Sequence, residues 1–289
     1  MLHDDVRNLK LDDRLESYRS FFDHPWAREI ADISASAKIL DSFVFDLMMS
    51  LKGLSRTFAI PSLAVDIAKH YSDGYHSYKL DGSLTMQLVN HIAERIDQRI
   101  VLASVESAEL RKVMFDMAKE ISSKAKGESV EFPKNELWDA MVKVEPSDDI
   151  NSPKNELRIA LWSTIRVCYS GVFFAYEDFV VRCVHTSSGS RVRISQQDEF
   201  KKTCRQFLGD TIADSCWLDQ GIITAKMIRH ALAHVGGRET GDLKKRNHVL
   251  EVIDGVLQIL PVDVHGLFRH IMPRIKELVE WSVKQPAFQ

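Results

Sequence analysis

Apolar side chains recur at three- and four-residue steps along most of this chain, which predicts helices almost throughout. Leu40, Phe43, Val44, Leu47 and Leu51 mark an amphipathic helix from about Ser36 to Phe58. Pro61 is expected to open the next helix, because a first helical turn does not need the N–H that proline lacks. Leu84, Leu88, His91, Ile92 and Ile96 predict another helix, and Leu110, Val113, Met114 and Met117 the one after it. Strict apolar–polar alternation is scarce. Ser190 to Ile194 is the one tempting strand, and it is short.

Between Lys124 and Glu156 the pattern lapses. Pro133, Pro146 and Pro153 fall there with Gly127 and the polar run Ser147-Asp148-Asp149, although residues 134–143 have the makings of a short helix. Proline biases the residue before it away from helix, so this span reads as a connector. A boundary near residue 150 would divide the chain into a helical region, 1–150, and a second one, 151–289. The second region opens on a long helix, about Pro153 to Cys183, and a polar loop at 186–190 follows it. Further helices are expected over Gln196–Leu208, Gly221–Val235, Asp242–Leu260 and Val264–Val283. The expected fold class is all-α, with an antiparallel bundle at the C-terminal end.

Composition fits a globular chain with a core large enough to need no staples. Cys168, Cys183, Cys204 and Cys216 form no Cys-x-x-Cys pair, and the first residues lack the basic start and apolar run of a secretory leader. Reduced thiols in a cytoplasmic protein are expected. Ile159 to Tyr176 is apolar but contains Arg166 and runs into Glu177-Asp178, so it reads as a core helix and not a membrane span. The net charge of -3 hides an asymmetry. Residues 152–289 hold 19 of the 38 basic and 15 of the 41 acidic side chains, a net of +4, which leaves -7 for residues 1–151. A general nucleic-acid coat is excluded by that balance, whereas a local phosphate site in the second half is not. The split also suggests that the acidic region packs near the basic one and restrains or targets it.

Candidate chemistry concentrates in Arg229-His230-Ala231-Leu232-Ala233-His234, followed by Val235-Gly236-Gly237. On a helix, His230 and His234 share a face, whereas Arg229 and His234 stand about 140° apart and can flank a groove. An arginine fork suits phosphate oxygens, and imidazole titrates near neutral pH. His234 at a helix carbonyl end favours the protonated form. The glycine pair is expected to end the helix with a left-handed residue.

Arginine, a polar residue, three further residues and histidine before a glycine pair resembles the HEPN superfamily, over roughly residues 152–285. Supporting context is the long preceding helix ending in Phe173-Phe174-Ala175-Tyr176-Glu177-Asp178-Phe179. The resemblance implies cleavage of RNA without a metal cofactor, by attack of a ribose 2′-hydroxyl on the adjacent phosphate in a cleft lined by two protomers. It implies Arg229 as the phosphate-orienting group, His234 as the acid/base and His230 in the polar position, where asparagine is commoner. Glu177 is an auxiliary candidate. A defence or toxin-like setting follows from the family's occurrence, with RNA as substrate, a homodimer as the working form and a regulatory or neutralising protein as a further partner. Arg238, Lys244, Lys245 and Arg246 are candidates for the RNA backbone.

Blander alternatives attach to the same residues. Arg229 and His234 can simply satisfy the last carbonyls of a helix, and the module can bind RNA, nucleotide or a protein partner without catalysis. His230 and His234 have zinc-ligand spacing, but Ala231 stands where a metalloprotease glutamate would be and no third ligand follows nearby, so no metal or other cofactor is expected. Lys201, Lys202 and Arg205 form a second basic stripe that reads as surface, and the aromatic residues of 169–176 read as core.

Overall fold

A computed structural model describes residues 10–12, 14–76, 112, 116, 146–147, 152–191, 197–246 and 248–289. The fold is predominantly helical: α1 (His24–Ser34), α2 (Lys38–His76), α3 (Pro153–Ser188), α4 (Gln197–Leu208), α5 (Asp210–Cys216), α6 (Gln220–His234), α7 (Gly241–Lys244) and α8 (Pro261–Ser282). A two-stranded antiparallel ribbon, β1 (Glu251–Ile253) with β2 (Val256–Gln258), lies between α7 and α8. The helix expected around Leu84–Ile96, all of that around Leu110–Met117 but Lys112 and Asp116 (both helical), the short helix at 134–143 and most of the Ser190–Ile194 run lie outside the described residues.

α3 is the axis of the fold. Ser152 caps its start by accepting from the Lys154 N–H, Pro153 opens it, and Gly189 ends it in the left-handed region at φ 65°. It runs five residues past Cys183, taking in the serines expected to form a loop, until that glycine stops it. By length and composition α3 could cross a membrane, but half of its apolar window is buried inside the fold. Ile165, Cys168, Val172, Phe173, Tyr176, Phe179 and Val180 are all sealed from solvent. α8 covers one flank of α3, with α4 and α6 against others. All four thiols are buried and unpaired, and burial pushes the Cys168 thiol up to about 11 and that of Cys204 up to about 12.

Two expectations fail for identifiable physical reasons. Pro61 does not begin a helix: α2 passes through it. The backbone bond that proline forfeits is outweighed by a continuous inward face of Leu51, Phe58, Ser62 and Val65, whose burial would be lost at a break. The helix expected over Asp242–Leu260 is replaced by one short turn and the β-ribbon. Asp254 and Gly255 both take positive φ, 51° and 76°, the turn that an Asp-Gly pair between apolar runs favours in a two-residue hairpin. α5 was also not anticipated. It starts afresh after Gly209, which has φ 80°.

Met1–Val65 and Val142–Gln289 form one compact unit, and Asp66–Met141, mostly outside the described residues, forms another. An aromatic cluster explains why residues 14–65 join the C-terminal helices. The Phe21 ring lies 5.2 Å from that of Phe268, and Phe58 lies 5.7 Å from His265, centroid to centroid. Two ion pairs cross the same seam, Arg182 to Asp46 at 2.8 Å and Lys276 to Glu29 at 2.6 Å. Both join an acidic residue of the N-terminal part to a basic one of the C-terminal part, whereas the pair of Lys10 with Glu251 runs the other way.

Candidate functional site

α6 carries the arginine–histidine motif and is pinned at both ends. At its start Asp219 caps the helix, accepting from the Ile222 N–H at 3.1 Å. The same carboxylate accepts from His270 Nε2 at 2.9 Å and pairs with Arg274 at 3.0 Å, both on α8. Burial pushes the Asp219 carboxyl up, but the His270, Ile222 and Arg274 hydrogen bonds together hold it below the usual carboxylate range. A Cβ at Gly221 would lie 2.3 Å from the His270 ring, so any larger residue must displace that ring.

At the other end the Val235 and Gly237 N–H groups both donate to the Ala231 carbonyl, at 3.1 and 2.8 Å. Gly236 and Gly237 take φ 65° and 81°, as expected of the pair. The ribbon holds this exit: the Leu257 N–H donates to the Gly237 carbonyl, and Arg238 bridges to Val256. Gly237 also lies flat against the buried Arg166 guanidinium, where a Cβ would come within 1.8 Å of a guanidinium nitrogen. Arg166 in turn stacks over the Trp162 ring at 4.0 Å.

Ile222, Ala225, Ile228 and Ala231 face the core, so the residues between them face out. Arg229 donates through Nη2 to Glu177 Oε2 at 2.8 Å, and the Glu177 side chain is 7% exposed. Thus Glu177 does meet the motif, 52 residues distant in sequence, by holding its arginine. Lys226 lies over the Trp217 ring at 4.5 Å and 3.9 Å from Glu177, close enough for charge attraction but beyond hydrogen-bond reach. Burial draws the Lys226 ammonium below the ordinary lysine value, while Glu177 opposes that shift.

Arg229 and Lys226 line an open cavity of about 1000 Å³ together with His230, Lys201, Lys245 and Arg246. Among its described lining, five cations face a single carboxylate, Asp242, so the cavity suits an anion. Arg246 donates to Gln220 at 2.6 Å, which ties that wall to the first turn of α6. His230 and His234 are both exposed, and their ring centroids are 4.9 Å apart. His234 is not part of the cavity lining. It extends the imidazole face of α6 one turn beyond it.

Comparisons of the chain with protein-family models, curated proteins and solved structures return no match. The site must therefore be read from its own chemistry.

The basic candidates separate into two groups. Lys245 and Arg246 reach the cavity; Lys244 and Arg238 are exposed but do not line it. Lys201, which the sequence pattern assigned to plain surface, does line it. Lys226 and Trp217 had no motif to announce them; the turn between α5 and α6 sets the Trp217 ring under the Lys226 ammonium. Among the described residues no group of three or more histidines, cysteines or acids converges as a metal site would require. What the arrangement offers is a cationic basin with two neighbouring imidazoles at its edge, groups able to hold a phosphodiester and to move protons.

Proposed function

We propose that this chain is an endoribonuclease of the HEPN type, cleaving RNA by 2′-hydroxyl attack at a cleft completed by a second copy. The observation that carries the reading is the imidazole pair at the edge of the cationic cavity: His230 lines the cavity, and the His234 ring lies 4.9 Å from it. A phosphodiester seated among Lys201, Lys245 and Arg246 would present its ribose toward those rings. A neutral imidazole takes the 2′-hydroxyl proton, the 2′-oxygen bonds to phosphorus and the bond to the 5′-oxygen breaks. An imidazolium then protonates the departing 5′-oxygen, leaving a 2′,3′-cyclic phosphate and a free 5′-hydroxyl. Arg229, oriented by Glu177, keeps its other guanidinium edge for charge that develops on the phosphoryl oxygens. The donor and the acceptor must stand on opposite sides of the phosphorus. Two adjacent rings on one helix face suit one side only, which is why a partner copy enters the reading. In a defence or toxin-like setting, a neutralising protein would act by covering the exposed His234.

A second reading, RNA or nucleotide binding without cleavage, is favoured by the Arg229–Glu177 pair, because a carboxylate in direct contact offsets the charge a transition state would use. RNA cleavage by wild type, His230→Ala and His234→Ala separates the two. The enzyme reading expects the histidine variants to fold normally and to lose roughly 10²- to 10⁴-fold in rate, with wild-type activity surviving EDTA. Equal RNA binding by all three, with no cleavage by a verified wild-type dimer, would favour the binding module.

A further inference from the structure

A second cavity, of about 530 Å³, opens on the other side of the first turns of α6, between that helix, α8 and the segment 248–250. Its size falls in the range of small-molecule pockets. Its character is unlike that of the first. Tyr169, Ile228, Leu250 and Leu267, all largely buried, give it apolar walls, while Val249 and Val262 also line it although they stand exposed. Two imidazoles interrupt those walls, with Asp263 and Arg269 at the α8 side, and each imidazole is oriented by a carboxylate: His270 by Asp219 at 2.9 Å and His248 by Glu239 at 2.8 Å. In both, the contact is made through Nε2, so the neutral ring donates there and leaves Nδ1 as an acceptor. His270 is 35% exposed, within reach of a ligand. The buried Nδ1 of His248 has no hydrogen-bond partner among the described residues.

Gln220 and Thr224 line both cavities, so the cationic basin and the apolar pocket meet across one helical turn. A ligand that fills both must be anionic at one end and carry a flat, largely apolar body with a polar edge at the other. We propose that the apolar cavity is a nucleobase subsite: a nucleotide with its phosphate in the basic cavity places its base between Ile228 and Leu267 and offers a base N–H to His270 Nδ1. This deepens the reading above and rests on the basic cavity holding phosphate.

Gly266 supplies a clean test. It lines the apolar cavity within α8, and a Cβ built on it meets nothing within 4 Å, so a side chain there enters open space. Gly266→Leu fills the pocket while replacing a poor helix former by a good one, so the variant should fold at least as well as wild type. Calorimetric titration of the full chain with AMP and with ribose 5-phosphate separates base from phosphate. Wild type should bind AMP about tenfold or more tightly than ribose 5-phosphate. Gly266→Leu should abolish that preference and keep the ribose 5-phosphate affinity, whereas Lys245→Ala should weaken both ligands alike. Equal wild-type affinities, no AMP binding at millimolar concentration, or a preference that survives Gly266→Leu would overturn the subsite. If wild type leaves RNA intact yet keeps the AMP preference, the nuclease reading falls and the subsite stands.

Discussion

Glu177 and Asp242 are carboxylates beside the same cationic cavity, and each faces a basic partner, yet they live in different media. The Glu177 side chain is 7% exposed and touches Arg229 at 2.8 Å. Asp242 is 81% exposed and reaches Lys245, itself 79% exposed, only at 3.3 Å. Attraction between charges strengthens as water is withdrawn, but so does the penalty for stranding one of them. The Glu177 side of the basin is therefore scaffold, fixing where Arg229 and Lys226 stand. The Lys245–Asp242 side is loosely held charge, free to exchange its partner for a ligand. Asp219, 28% exposed and joined to His270 and Arg274, lies between these extremes.

This gradient can be broken carboxylate by carboxylate. Glu177→Ala should be the most damaging, since it leaves the Arg229 guanidinium without its counterion in a mostly dry site. A loss of roughly 3–5 kcal/mol is expected in urea denaturation. A loss below about 1 kcal/mol would mean that water already screens the pair.

Asp219→Asn should come next, at about 1–2 kcal/mol: asparagine keeps the helix cap but exchanges the charged contacts to His270 and Arg274 for neutral ones. It also carries a pH signature. The folded-state carboxyl is held below its ordinary value, so its stabilisation is present above the unfolded value of about 4 and is lost as pH falls through the folded one. The gap between wild type and Asp219→Asn should therefore be full near neutrality and shrink on acidification below about pH 4. A gap independent of pH would assign the effect to geometry alone.

The smallest stability change belongs to the exposed side. Lys245→Ala and Arg246→Ala should each alter unfolding free energy by less than about 0.5 kcal/mol. Their effect should instead appear in RNA affinity, with the logarithmic salt dependence of binding flattening by about one unit for each phosphate contact removed. Substantial destabilisation with unchanged RNA binding would reverse the roles assigned to the two sides.

How much of this was legible in the sequence varies with the range of the interaction. α6 and its glycine exit were readable because their signals are local: apolar steps of three and four residues, then two glycines. The shared face of His230 and His234 followed from helical geometry alone. The ribbon after α7 departs from the helix expected over Asp242–Leu260 because a hairpin turn, not apolar spacing, decides that stretch. That turn, Asp254-Gly255 with both residues at positive φ, is a local signal in the sequence. Continuation of α2 through Pro61 depends on a buried face that exists only once the aromatic cluster against α8 has formed. The approach of Glu177 to Arg229 comes from packing of α3 against α6, and that of Trp217 to Lys226 from the turn before α6. No spacing in the chain encodes it.

Analysis of the RNA ends left by the wild-type dimer and by His234→Ala tests the central claim most directly. The account predicts 2′,3′-cyclic phosphate and 5′-hydroxyl ends from wild type in the presence of EDTA, and intact RNA from a folded His234→Ala. Cleavage that leaves other termini, or that proceeds undiminished in His234→Ala, would contradict it.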